Sequence, residues 1–306
     1  MRKYDFVTNL KRALIISLAI ILLGVVMNVV FGTKMDLSFK GGTLIRYSYQ
    51  TAPDANALAV TAKETLGGDP QISLDDINNT KVVSITLPGT VTNEQKQALA
   101  DAVEKNYADC QMELFQSNTL PASMGSKFFL RCLIALGFAA AFLMLYVGFR
   151  FRKIGGIPAA VSALIALLHD LVIVYFTFII FRLDLDNNFV AVMLTILGYS
   201  LNDTIVIFDR IRTLRKRSDA PLEEIVNASL HQVLRRTIVT TVTTCLVILA
   251  VLVVALVMHV DSIISFALPM LFGAISGSYS SIFLSGPIWV RWMNHKEAVA
   301  ASKGKK

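Results

Sequence analysis

Six long apolar runs constrain this chain more than any other feature of its sequence. A helix that crosses the hydrocarbon core of a bilayer needs about 20 predominantly apolar residues. The runs that approach or exceed this length are Ala13–Phe31, Phe128–Phe149, Ile157–Phe181, Phe189–Phe208, Ile238–Met258 and Ile263–Val290. Hydrophobic residues make up 54% of the chain, which excludes an ordinary soluble domain. The sequence therefore predicts a polytopic α-helical membrane protein with six transmembrane helices.

The runs divide the chain into four parts. Residues 1–31 hold a short basic tail and the first helix, and residues 127–292 hold the other five. The first run is too long for the apolar region of a signal peptide, and no small-residue cleavage site follows it, so we expect a retained helix. Residues 293–306 form a basic tail.

Residues 32–126 differ in kind, because they carry mixed charge, short apolar runs and turn residues. Alternation and capping signals predict strands and helices in the order βαββαβ, which is the ferredoxin-like arrangement. The predicted elements are strand Thr43–Tyr49, helix Asp54–Leu66, strands Gln71–Ile77 and Lys81–Leu87, helix Thr92–Tyr107 and strand Gln111–Phe115. The fold class is thus six transmembrane helices with an α+β ferredoxin-like domain between the first two.

The positions of the basic residues predict the orientation of the chain. They crowd the loops after the second, fourth and sixth runs, whereas the opposite short loops carry almost none. The positive-inside rule then places both termini in the cytoplasm and the domain at 32–126 outside. The net charge of +7 does not indicate nucleic acid, because the basic residues flank apolar runs and form no patch with interleaved aromatics.

A further helix is expected in the cytoplasmic loop after the fourth run. A Ser-Asp-Ala-Pro start signal at 218–221 opens the segment 219–234, which carries its apolar residues on one face. This pattern predicts a separate interfacial helix that lies on membrane lipid.

Asp203 is the most informative single residue, because it lies inside the fourth apolar run. If Asp209 marks the membrane boundary, Asp203 is roughly 9 Å deep at 1.5 Å per residue. A carboxylate at such depth costs about 2.5–3.5 kcal/mol on insertion scales, so it indicates a functional site. The alternative is an acid that only hydrogen-bonds a neighbouring helix.

Arg236 stands at the cytoplasmic mouth of the fifth run. Arg236, Thr240 and Thr244 recur every four residues and share one helix face. Threonines in membrane helices hydrogen-bond across helices or line polar paths, which favours an inward-facing Arg236. The alternative is an arginine that snorkels to the membrane surface.

Two further polar groups lie within the runs. Asp170, beside His169 in the third run, is either a proton-relay residue or a structural acid satisfied by neighbouring hydroxyls. In the sixth run, Gly273 and Gly277 form a small-residue helix contact, and the serines of the run Ser276–Ser281, Ser280 and Ser281 among them, are candidate acceptors along a proton path.

The sequence contains no nucleotide-binding loop, metal motif or hydrolase triad. The three cysteines, Cys110, Cys132 and Cys245, have neither metal-ligand nor disulfide spacing. We therefore expect no cofactor, no metal and no enzymatic activity, and an energy source in the ion gradient. A helix motion that alternately pairs Asp203 with Arg236 and separates them would let Asp203 load and release a proton on opposite sides.

Four stretches resemble the SecF subunit family of bacterial SecDF protein translocases. The most specific runs from Gly198 through Asn202 and Asp203 to Asp209 and Arg210. The others are the segment with Asp36, Gly41 and Gly42 after the first run, Arg236–Thr244 in the fifth, and Gly277–Phe283 in the sixth. They bracket nearly the whole chain in the family's order.

The resemblance implies one half of a twelve-helix unit of the resistance–nodulation–division type in the bacterial inner membrane, with SecD as the other half. It implies use of the proton gradient to assist late translocation of preproteins leaving the SecYEG channel, with YajC as a frequent companion. The family's intramembrane acid and arginine fall on Asp203 and Arg236. Two alternatives stay open: a proton-driven small-molecule or lipid exporter half, and a scaffold without a proton path.

Overall fold

A computed structural model describes residues 4–77 and 80–303. In chain order, its regular elements are α1 (Leu10–Phe31), α2 (Leu37–Lys40), β1 (Gly42–Ser48), α3 (Ala55–Leu66), β2 (Gln71–Ile77), β3 (Thr80–Leu87), α4 (Asn93–Asn106), β4 (Glu113–Leu120), α5 (Ala122–Arg150), α6 (Gly156–Ile180), α7 (Asn187–Arg215), α8 (Leu222–Val257), α9 (Asp261–Ser280) and α10 (Gly286–Lys303). A five-residue π-helix, Ser281–Ser285, joins α9 to α10.

The chain forms two compact units. One is Met35–Leu133, and the other combines the residues before and after it. The first unit contains the predicted domain, and the second holds most of the predicted transmembrane helices. Each unit is described by itself.

The domain has the ferredoxin-like topology that the sequence predicted. Its four strands form one antiparallel sheet in the order β2-β3-β1-β4. Asp54 caps α3 through its side chain, and Thr92 and Gln95 form the expected capping box at α4. The two helices pack on one face of the sheet, where the buried core includes Ile45, Tyr47, Leu58, Val83, Ile85, Leu99 and Val103.

Within the described residues, six helices are long and apolar enough to cross a membrane. They correspond one to one with the six apolar runs, and the sixth is the compound helix formed by α9, the π-helix and α10. The basic tail predicted at 293–306 is helical as far as Lys303. No glycine or proline follows Pro287 before that point, so nothing in the sequence stops the helix.

The separate interfacial helix expected at 219–234 is not what the structure shows. Pro221 is the N-cap of α8, which then continues for 36 residues into the fifth span. The sequence between Leu234 and Ile238 is Arg-Arg-Thr, which contains no helix breaker, so the helix propagates. Its apolar face is also buried in protein: Ile225, Val226 and Leu230 are each at most 4% exposed.

Helices α6, α7 and α9 form the centre of the membrane unit, whereas α1, α5 and α8 expose most of their apolar side chains. Glycines permit the close approach at this centre. A Cβ at Gly273 would lie 2.6 Å from Ile196 Cδ1 and 2.8 Å from Val174 Cγ2, and one at Gly277 would lie 3.0 Å from Ser200 Cβ. The glycines of α9 thus allow α6 and α7 to pack directly on its backbone.

Candidate intramembrane polar site

Asp170 is the hub of a buried hydrogen-bond network that joins three helices. Its carboxylate is fully buried. Ser200 of α7 and Ser280 of α9 donate to Oδ2 at 2.6 and 2.7 Å, and Ser276 of α9 donates to Oδ1 at 2.6 Å. His169 Nδ1 lies 3.2 Å from Oδ1. Three hydroxyl donors compensate the loss of water around a buried carboxylate.

Helix geometry explains why these serines converge. Ser276 and Ser280 are four residues apart and therefore share a face of α9. Gly277, between them, has no side chain to hold α7 away, so Ser200 reaches the same carboxylate. Asp170, Gly277 and the serines of the run Ser276–Ser281 were all identified from the sequence, whereas Ser200 had no expected role of its own. The four-residue spacing of Ser276 and Ser280 in an apolar helix places both hydroxyls on the face that meets Asp170.

The network continues along the interface between α7 and the π-helix. Ser281 donates to the backbone oxygen of Ser200 at 3.2 Å, and its hydroxyl lies 2.9 Å from that of Thr204. Ser281 is the first residue of the π-helix. A π-helical turn inside a long helix is frequent at functional sites.

Asp203 has the opposite environment to Asp170. It is 6% exposed, and its Oδ2 atom has no hydrogen-bond partner among the described residues. The Arg236 guanidinium is near enough to attract the carboxylate electrostatically, but no hydrogen bond or ion pair joins the two side chains in the described structure. A buried carboxylate oxygen without a partner is costly unless a function retains it.

Arg236 is exposed on α8, and Thr240 and Thr244 are half-buried. The Thr240 hydroxyl donates to the backbone oxygen of Arg236 at 2.8 Å. Thr237 is buried and Thr241 is half-buried, and the buried hydroxyls of both have no hydrogen-bond partner among the described residues.

The orientation of α8 has a simple cause. Val226, Leu230 and Val233 are buried on one stripe of the helix, and Thr237 and Thr241 continue that stripe at helical spacing. The prediction that Arg236 faces inward treated 219–234 as a separate helix. When the apolar pattern of 219–234 is instead continued through one helix, it predicts that Thr237 and Thr241 face inward.

Gly198 and Asn202 lie on the exposed side of α7. A Cβ at Gly198 would meet no atom within 4 Å, and Asn202 is exposed in the middle of an apolar helix. A polar amide that faces outward at this depth is costly in lipid and indicates contact with another helix.

Asp209 and Arg210 link the C-terminal part of α7 to helices α5 and α8. Arg150 of α5 and Arg212 bind Asp209 Oδ1 at 3.1 and 2.7 Å, and Arg210 donates to Gln232 of α8. These charged groups mark the end of the apolar part of the helix bundle.

Asp36, Gly41 and Gly42 belong to the domain. Gly42 has a φ of 151°, and a Cβ there would lie 2.6 Å from the Leu87 backbone oxygen. Gly41 has a φ of 73°. This segment fixes the start of β1 next to β3, which is a structural role. Among the described residues no group of metal-ligating side chains could hold an ion.

Comparisons with known proteins agree over nearly the whole chain. The family model "Protein export membrane protein SecD/SecF, C-terminal" matches residues 99–295. The protein translocase subunit SecF of Alicyclobacillus acidocaldarius is 34% identical over 99% of this chain and 97% of its own length. The SecDF subunit of Bacillus subtilis is 29% identical over 95% of this chain, which spans 38% of that protein.

The solved structure of SecDF from Thermus thermophilus, described as a translocon-associated membrane protein, superposes with a TM-score of 0.76 at 26% identity. The match covers 95% of this chain and 39% of that one. The fold and the matches define a multi-pass membrane subunit of a protein translocase. The chain belongs to the SecF family of protein translocase subunits.

Proposed function

We propose that this chain pairs with SecD to form a translocase unit that uses the proton-motive force to assist the late export of preproteins through the SecYEG channel. Asp203 carries the proton, and Arg236 is its switching partner. The observation that carries the proposal is the buried Asp203 Oδ2 atom, which has no hydrogen-bond partner within residues 4–77 and 80–303 although Arg236 is near enough to attract it.

The chemistry of this arrangement suits reversible protonation. A carboxylate paired with arginine stays ionised, whereas the same carboxylate in an apolar environment without its partner takes up a proton. A small movement of α8 relative to α7 switches Asp203 between these conditions. The hydroxyls of Tyr199, Thr237 and Thr241, which lie on the same two helices, have no hydrogen-bond partner in the described part of the chain. They are polar groups that water can bridge.

The remaining predicted relay residues have supporting roles in this scheme. Asp170 is linked to α7 through Ser200, three residues before Asp203, so it holds the helix of Asp203 in place while Asp203 exchanges the proton. Thr240 and Thr244 are half-buried hydroxyl groups in the same helix as Arg236.

The outward face with Gly198 and Asn202 supports the pairing with SecD. The chain spans 38% and 39% of the two SecDF proteins to which it is similar, and SecD is the natural source of the rest. In this assembly both termini are cytoplasmic and the ferredoxin-like domain is outside the inner membrane. The assembly contacts the translocating preprotein and membrane lipid, and YajC is an accessory partner.

The test is Asp203→Asn in proteoliposomes that contain this chain, SecD and the SecYEG channel, with a substitution of an exposed loop acid, Asp219→Asn, as the matched control. We expect the first variant to lose both proton flux and stimulation of preprotein export, and the second to keep both. Retention of both activities by Asp203→Asn would leave only a scaffold role for this residue. Proton flux with transport of a lipid or small molecule, and no effect on export, would instead support the exporter alternative.

A further inference from the structure

The N-terminal residues 4–9 bind back onto α8, and we call them the N-terminal strap. The backbone N–H of Phe6 donates to Asn227 Oδ1 at 2.8 Å, and that of Val7 donates to the same atom at 3.4 Å. Asn227 Nδ2 donates to Asp5 Oδ1 at 2.8 Å. The single amide of Asn227 therefore engages the strap through both of its polar atoms.

A hydrogen-bonded turn within the strap holds Asp5 in position. Asp5 accepts from the backbone N–H and the hydroxyl of Thr8 at 3.0 and 2.7 Å, which closes a turn before α1. His231, one helical turn after Asn227, places Nε2 2.7 Å from the Tyr4 backbone oxygen. Asn227 and His231 thus form a row of contacts along one face of α8.

An aromatic cluster fixes the other side of the strap. Phe6 is only 3% exposed. Its ring lies 5.1 Å from His231 and 5.5 Å from Phe283 of the π-helix, measured between centroids. The π-helix is in turn bonded to α7 through Ser281 and Ser200. The strap therefore contacts both α8 and the segment that packs on the helix of Asp203.

The continuity of α8 connects these contacts to the proton-carrying pair. Asn227 and Arg236 are in the same uninterrupted helix, nine residues or roughly 13 Å apart at 1.5 Å per residue. A helix of this kind moves as a rigid element over such a distance, so whatever holds Asn227 also limits the position of Arg236.

We propose that Asn227 is a positioning residue for Arg236: by holding the N-terminal strap, it fixes α8 against the π-helix and so sets where Arg236 stands relative to Asp203. This inference rests on the function proposed above. Asn227 itself touches neither member of the pair.

Exchange of the Phe6 and Val7 amide hydrogens, in the full chain with SecD, measures the strap directly. In Asn227→Ala we expect exchange at both amides to accelerate about tenfold, which is the effect of losing about one hydrogen bond. Glu224→Ala, at an exposed position in the first turn of α8, is the matched control and should leave the exchange unchanged.

A reciprocal exchange of side chains separates positioning from general loss of structure. Asn227→Asp alone places two carboxylates against each other at Asp5, so it should release the strap and reduce proton flux several-fold. Adding Asp5→Asn lets the new side-chain amide donate to the carboxylate at position 227, at the cost of the Thr8 backbone N–H contact to the same atom. The double substitution should therefore recover most of the amide protection and of the proton flux together. A residue that merely stabilises the fold would not give this coupled rescue.

Three results would overturn the inference. Unchanged amide exchange in Asn227→Ala would show that the strap contact is absent, whatever the function of the chain. Accelerated exchange with normal proton flux would show that the strap holds the N-terminal residues in place without positioning Arg236. Normal flux in the separate Asp203→Asn variant would refute the proposed proton path itself, and with it any positioning of Arg236 for that path.

Discussion

Two buried carboxylates of the same helix bundle have opposite surroundings. Asp170 accepts from three serine hydroxyls, whereas Asp203 has an oxygen with no partner among the residues that the structure describes. Hydrogen bonds to a charged group are among the stronger ones in proteins, and an unpaired buried acceptor contributes nothing comparable. We infer that Asp170 stabilises the packing of α6, α7 and α9, while Asp203 stays available for proton exchange.

This contrast predicts different consequences for the same chemical change. Asp170→Asn converts one acceptor oxygen into a donor that faces serine hydroxyls, so we expect the free energy of unfolding to fall by about 1–3 kcal/mol. Asp203→Asn should change it by less than about 0.5 kcal/mol, the usual size of a substitution that breaks no contact. Thermal unfolding of the detergent-purified chain provides the comparison. Equal losses in the two variants would contradict the distinction.

Asp5 gives the strap a pH dependence with a defined sign. The hydrogen bonds from the backbone and side chain of Thr8 lower the pKa of Asp5 from its ordinary value of 3.8. A carboxylate with a lowered pKa stabilises the docked strap above that ordinary value and loses this contribution as the pH falls through its lowered pKa.

We therefore expect the protection of the Phe6 amide, corrected for intrinsic exchange, to be constant through neutral pH and to fall only below about pH 4. Asp5→Asn should abolish this acid transition. His231 of α8 also contacts the strap, so an acid transition that survives in Asp5→Asn would contradict the assignment to Asp5.

At the scale of elements, α8 is the most consequential difference from the sequence expectation. A separate surface helix would leave the cytoplasmic loop independent of the fifth span. The continuous helix instead joins Asn227, His231 and Arg236 into one element. Transmission along α8 then depends on the stiffness of the turn around Leu234 and Arg235.

A glycine pair at that turn tests the transmission. In Leu234→Gly with Arg235→Gly, each glycine costs about 1 kcal/mol of helix stability and adds a flexible point. We expect proton flux to fall while protection of the Phe6 amide is kept, because the strap remains bound to the first half of α8. The alanine pair at the same positions keeps the helix stiff and should retain flux. Normal flux in the glycine pair would show that α8 need not be rigid.

At the scale of the whole molecule, the open side of α7 determines how the chain assembles. Gly198 and Gly137 both have empty space around the missing Cβ, so a large side chain at either fits the isolated chain. Only Gly198 lies beside Asn202, on the face that we assign to SecD.

We expect Gly198→Phe to fold normally but to lose co-purification with SecD, because the ring occupies the space of the partner helix. Gly137→Phe, on the exposed side of α5, should fold and co-purify like the unmodified chain. Retention of SecD by Gly198→Phe, or its loss from Gly137→Phe, would move the interface to another face of the bundle.

The sequence predicted the large features because each is encoded locally. Apolar runs of membrane length specify spanning helices wherever they occur, and the caps at Asp54 and Thr92 lie within one turn of the helices that they start. The ferredoxin-like topology followed from the order and spacing of its elements. Asp203 was identified for a similar reason, because a charged carboxylate differs clearly from the apolar residues on both sides of it in the sequence.

The pattern of apolar and polar residues along the chain could not predict which polar groups form hydrogen bonds with each other. The convergence of Ser200, Ser276 and Ser280 on Asp170 requires three helices at a particular rotation, and that rotation comes from packing at Gly273 and Gly277. Likewise, the buried stripe from Val226 to Val233 turned Thr237 and Thr241 inward and left Arg236 outside.

The sequence alone thus determined six spans, one inserted domain and a buried acid, because hydrophobicity and helix capping act between neighbours along the chain. Tertiary structure decided that Asp170 is hydrogen-bonded, that one oxygen of Asp203 is not bonded within the described residues, and that residues 4–9 hold the helix of Arg236. These outcomes depend on contacts between residues as many as 227 positions apart, and only the packing of whole helices brings such residues together.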